Sequence, residues 1–75
     1  MNVKLATRSE FSLENRNKVI CILQKYLKTT LSETIKIANV LEVDGVVYLS
    51  VGDKYFNQFR DLLNKNGNID CEIQV

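Results

Sequence analysis

Few side chains in this chain could do chemistry, and their types and spacing favour binding over catalysis. Cys21 falls on the polar side of its segment, with Asn17, Gln24, Lys25 and Lys28. Lysines beside a thiol favour the thiolate, the form that attacks electrophiles. Nothing supplies the base that a cysteine nucleophile usually uses, because the sequence contains no histidine. That absence also removes the serine and cysteine triads and most catalytic metal sites. Cys21 is therefore expected to be an inert thiol partly covered by the second helix or by a partner, and Cys71 a core residue. The two cysteines match no zinc-ligand spacing. Asp70 and Glu72 lie two apart on one strand face, with Asp61 on a helix. Such carboxylates serve glycosidases and metal sites only inside a cleft with further ligands, so solvated acids are the expectation. No enzyme activity, cofactor or metal is expected.

The remaining candidates are surfaces. Lys18, Lys25 and Lys28 project from the polar face of a first helix, and Lys36 from a second; Arg16 is the one arginine among them. They read either as a patch for an acidic protein surface or phosphates, or as solvated helix faces. A nucleic-acid site normally adds exposed aromatics or more arginine. Net charge is +1, but residues 1–40 hold seven cations against three anions and residues 41–75 three against six. A basic side and an acidic side are expected from that asymmetry. Val46 and Tyr48 share a sheet face that no helix is predicted to cover. They mark a contact surface, pack under the segment from Arg8 to Phe11, or are merely tolerated in the open. An edge strand could also pair with a second copy, giving a homodimer.

The elements that position these residues follow from periodicity. Residues 3–7 alternate, with Val3 and Leu5 on one face, and residues 46–51 are β-branched and aromatic after the turn pair Asp44-Gly45. Residues 69–75 alternate throughout: Ile69, Cys71, Ile73 and Val75 inward, Asp70, Glu72 and Gln74 outward. Ser12 is placed to cap a helix carrying Val19, Ile20, Ile22, Leu23, Tyr26 and Leu27. Thr30-Leu31-Ser32-Glu33 is a capping-box pattern opening a second helix that would bury Leu31, Ile35, Ala38 and Leu41. Asp53 would cap a third, with Tyr55, Phe56, Phe59, Leu62 and Leu63 inward and a left-handed Gly67 closing it. The order is β-α-α-β-α-β, an α+β fold with a three-stranded sheet and three helices packed on one face. The third helix joins two strands running the same way, with the first strand between them in a split unit. Lys4, Ala6, Val46, Tyr48, Asp70 and Glu72 are left on the opposite face.

Seventy-five residues hold one core, so residues 1–75 form a single domain. With 45% hydrophobic and 25% charged residues the composition is that of a globular protein. No apolar run approaches the ~20 residues of a membrane span, and the first eight residues lack the apolar core of a secretory signal. A cytoplasmic location with reduced thiols is expected, and no membrane partner.

The element order and particular residues resemble the C-terminal domain of the bacterial ribosomal stalk protein. Val19-Ile20-Cys21-Ile22-Leu23-Gln24-Lys25 stands where that family reads approximately Val-Ile-Lys-x-Val-Arg-Glu. Leu31-Ser32-Glu33-Thr34-Ile35 stands where it reads Leu-Lys-Glu-Ala-Lys, and Leu62 to Asn68 followed by the strand from Ile69 matches its closing helix, glycine and strand. The adaptor protein of the bacterial Clp protease shares this general fold. The resemblance, over about residues 15–75, implies a domain whose first two helices contact a larger protein, as the stalk's basic residues contact the GTPase translation factors. Cys21 and Gln24 replace the lysine and arginine of the first motif, Ser32 and Ile35 replace the two lysines of the second, and Arg16 keeps a matching charge. The glycine-rich turn has become Lys28-Thr29-Thr30. The stalk's dimerisation segment and hinge have no counterpart, so a similar fold with a changed binding surface is implied.

The expected function is a small protein-binding or regulatory module, an inhibitor or adaptor. It would dock on another protein through the basic helical hairpin (Arg16, Cys21, Gln24, Lys25, Lys28, Lys36) or the open sheet face (Val46, Tyr48). The alternative is weak nucleic-acid binding through the basic patch of the first two helices.

Overall fold

The computed structural model describes residues 1–8 and 11–74. Its elements run β1 (Asn2–Thr7), α1 (Leu13–Leu27), α2 (Leu31–Asp44), β2 (Val46–Ser50), α3 (Phe56–Gly67) and β3 (Ile69–Gln74). This is the α+β order expected from periodicity. The sheet order is β2-β1-β3, with β1 antiparallel to both neighbours. The two strands joined by α3 therefore run the same way with β1 between them. Registers set Lys4 opposite both Tyr48 and Glu72, and Leu5 opposite both Val47 and Cys71.

α1 lies between its sister helices: it packs against α2 on one side and α3 on the other, while α2 reaches β2 and α3 reaches β3. All three cover one sheet face. Val3, Leu5 and Ile69 from the sheet meet Val19, Ile22 and Leu23 of α1, Leu41 of α2, and Phe56, Phe59 and Leu63 of α3 in one buried cluster. Phe11 packs against this core. It is therefore on the helix side, and Arg8 at the other end of the proposed cover pairs with Asp70; Ser9 and Glu10 lie outside the described residues, as does Val75.

Three local expectations need correcting. α2 buries Thr34, Ala38 and Leu41, leaving Leu31 and Ile35 exposed. Thr30 caps α2, its hydroxyl accepting from Glu33 N at 3.2 Å, and this phase turns position 34 inward. A threonine is tolerated there because its hydroxyl donates to Leu31 O at 2.8 Å, inside its own helix. Asp53 does not cap α3. The helix opens at Phe56 with no side-chain cap, and the Asp53 carboxylate lies 3.7 Å from the chain's terminal amine instead. Tyr55 is left outside the helix, half exposed. Finally, Gly67 is the buried last residue of α3, and Asn68 takes the left-handed conformation at φ 55°. Asparagine tolerates that region, so glycine was not required for the turn.

Ile73 keeps its expected inward parity but lies at the strand end with half its surface exposed. The expected basic and acidic sides interleave: Arg8 pairs with Asp70 at 3.3 Å and Arg16 with Glu42 at 3.2 Å. Folding thus brings cations of the first half onto anions of the second. Ser12 caps α1 as expected, accepting from Asn15 N at 3.2 Å.

Candidate functional site

α1 ends at Leu27, and Lys28 caps it with left-handed geometry, φ 52° and ψ 40°. That conformation costs a non-glycine residue about 1–2 kcal/mol. It turns the chain sharply at the end of the sheet where β2 runs out into Val51-Gly52-Asp53. Between the two segments lies a groove of about 470 Å³. Tyr26 and Phe59 form its aromatic floor, their ring centroids 5.7 Å apart and planes tilted by 58°. Val51 extends the apolar surface, and Tyr55 forms a wall.

The rim is cationic. Lys25, Lys28 and Lys54 all line the groove, and among the described residues no carboxylate does. Lys25 Nζ stands 5.5 Å from the centre of the Tyr26 ring, and Lys54 Nζ 5.3 Å from that of Tyr55. Those contacts hold the ammonium groups over ring faces while leaving them hydrated. The uncapped first turn of α3 adds partial positive charge beside Gln58. An apolar floor inside a ring of ammonium groups can seat a hydrophobic anchor flanked by anions.

Lys25 and Lys28 are the two sequence candidates that the fold brings to this groove. The others lie elsewhere. Arg16 bridges α1 to α2, donating through Nε to Glu42 and through its terminal nitrogen to Asn39. Gln24 braces the α1–α2 turn: its Nε2 donates to Thr29 O at 2.9 Å, and its Oε1 lies 3.3 Å from the Thr34 hydroxyl. Lys36 pairs with Glu33 one turn earlier, at 3.6 Å, as Lys18 does with Glu14 at 3.3 Å; both are solvated helix-face pairs. Cys21 is exposed in a shallow depression with Asn17, Lys18 and Asn66, so it lies toward the end of α3 rather than under α2. Val46 and Tyr48 occupy the uncovered sheet face, Val46 half-buried and Tyr48 exposed.

Lys54, Tyr55, Tyr26 and Phe59 were not singled out by sequence reasoning as site residues. Their aromatics were assigned to the core by helical spacing, and nothing local shows that residues 25–28 and 51–59 converge. Cys71, half-buried, has its thiol pushed from the ordinary 9.0 up to about 11 by burial, with the Arg60 charge opposing. Among the described residues no group of three or more histidine, cysteine or acidic side chains gathers for a metal, and no helix is long and apolar enough to cross a membrane.

The fold and groove define a small α+β domain with a cationic, aromatic-floored surface cleft. Comparisons with protein-family models, curated proteins and solved structures found no match for the chain.

Proposed function

We propose that this protein is a protein-binding regulatory module whose α1–α3 groove takes an acidic segment of a larger protein, anchored by one aromatic or aliphatic side chain. The observation that carries this reading is the set of three lysines around an apolar floor, with no carboxylate lining it among the described residues. Lys28 adds weight. Glycine or asparagine would adopt its left-handed backbone at lower cost, yet the position holds a lysine, and strained residues of this kind gather at ligand clamps. The stalk-like resemblance, which implies a domain docking on larger proteins through its first helices, points the same way.

A titration of isotope-labelled protein with an aspartate-rich peptide carrying one central phenylalanine tests the proposal. Amide shifts should concentrate at residues 25–28 and 51–59, and Lys28→Glu with Lys54→Glu should abolish them. Shifts confined to Val46 and Tyr48, or none at all, would reject the groove.

Tyr55 favours a second reading. Exposed beside Lys54, it offers a stacking face for one base of a single strand, with Lys25 and Lys28 on the backbone. Two phosphate contacts predict a log–log salt slope of about −1.4 for a short single-stranded oligonucleotide. Binding with that slope, where the acidic peptide fails, would move this reading ahead.

A further inference from the structure

We infer that the open edge of β2 pairs with the same edge of a second copy of this chain, joining two three-stranded sheets into one continuous sheet around a two-fold axis at Tyr48. The hydrogen-bond parity of the sheet motivates the idea. Met1 and Val51 exchange both backbone bonds, at 2.9 and 3.1 Å, and Thr7 N donates to Gly45 O at 2.9 Å. Odd-numbered residues of β2 are therefore the ones bonded to β1. Val46, Tyr48 and Ser50 direct their N–H and C=O groups the other way. β2 is a terminal strand of the sheet, and among the described residues no backbone partner reaches those groups.

The two sheet edges differ in what protects them. β3 carries Asp70 and Glu72. An antiparallel pairing of β3 with its copy about Cys71 would set Asp70 against Glu72 of the other chain, a like-charge contact that disfavours it. β2 reads Val46-Val47-Tyr48-Leu49-Ser50, with no charge and no proline, so it lacks the usual devices that blunt an edge. Pairing β2 with β3 of a copy would be heterologous and would not close by two-fold symmetry. The β2–β2 arrangement closes, sets Tyr48 against Tyr48, and sets Val46 against Ser50.

α2 extends the same surface. It packs over β2, and its Asn39 and Glu42 turn toward Arg16 of α1. Ile37, Val40 and Val43, each three residues apart, run along the flank away from α1. Val43 is 83% exposed and Val40 is exposed as well. A second copy added at the β2 edge brings two such rows toward each other and removes them from water.

Sedimentation measurements on the reduced protein, from low micromolar to millimolar concentration, test the inference. The mass should rise toward twice the 8.6 kDa of one chain. Tyr48→Glu should weaken association by about a hundredfold, because it opposes two carboxylates across the two-fold axis. Within one chain the new carboxylate faces Lys4, so the variant should keep the thermal stability of the parent. Hydrogen exchange supplies the second readout: the amides of Val46, Tyr48 and Ser50 should be protected in the parent and exchange freely in the variant. A protein monomeric throughout the range, a dimer that survives Tyr48→Glu, or unprotected amides in a dimer would each overturn the assignment.

Discussion

Gly67 and Val19 meet where the end of α3 crosses α1, and a β-carbon built on Gly67 would stand 2.6 Å from Val19 Cγ2. Val19 is fully buried and Gly67 is buried beside it. Ile69 Cγ1 would be 3.3 Å away on another side. The glycine thus sets how closely α1 and α3 approach at this crossing.

Gly67→Ala should therefore destabilise the domain despite alanine's better helix propensity. Overpacking costs about 1–3 kcal/mol, against a propensity gain of about 1 kcal/mol. The loss should appear as a lowered urea midpoint with an unchanged slope. Adding Val19→Ala should cost less in the Gly67→Ala background than in the parent, since the smaller side chain relieves the clash. Equal costs in both backgrounds would refute the contact.

Lys28→Gly separates stability from binding. Relief of the left-handed lysine is worth about 1 kcal/mol, offset in part by the greater freedom of glycine in the unfolded chain. The melting temperature should stay level or rise. Affinity for the acidic peptide should fall, because one rim charge is gone. A variant that melts markedly lower would show that Lys28 is there for the fold.

Arg16→Gln should have the opposite profile. Its partner Glu42 is about half exposed, so the bridge contributes roughly 0.2–1 kcal/mol. Thermal melting should detect a small loss, while acidic-peptide affinity measured by calorimetry stays within error of the parent. An affinity loss comparable to that from Lys25→Gln would instead place Arg16 in the site.

The cysteines should be distinguishable by mass spectrometry after brief alkylation at neutral pH. Cys21 is exposed and should take one adduct under native conditions. Cys71 should react only after unfolding, because burial raises its thiol to about 11. That shift also predicts an alkaline weakness. The folded state holds the Cys71 proton more tightly than the unfolded state, so its contribution is complete below pH 9 and declines as pH rises toward about 11. The stability difference between the parent and Cys71→Ala should shrink over that window; a constant difference would remove Cys71 as its origin.

Periodicity determined the element order and the parity of each strand, and capping residue types determined the caps at Ser12 and Thr30. Those features depend on residues within one turn or one strand of each other. The phase of α2 was less legible: Leu31 and Ile35 outrank Thr34 in hydropathy, but a threonine whose hydroxyl bonds its own helix can be buried in their place. The role of Gly67 was also hidden, since a sequence shows a glycine but not the valine that crowds it. Lys25 and Lys28 could be named as candidates from charge, yet Lys54 and Tyr55 could not be joined to them. Their convergence depends on how α1 ends, on where β2 runs out, and on the packing of Tyr26 of α1 against Phe59 of α3. The same holds for the β2 edge, whose strand character is local but whose open side is decided only by β1 pairing between β2 and β3. Long-range packing makes these choices because a buried contact stabilises partners far apart in the chain, and no local pattern records which partners those are.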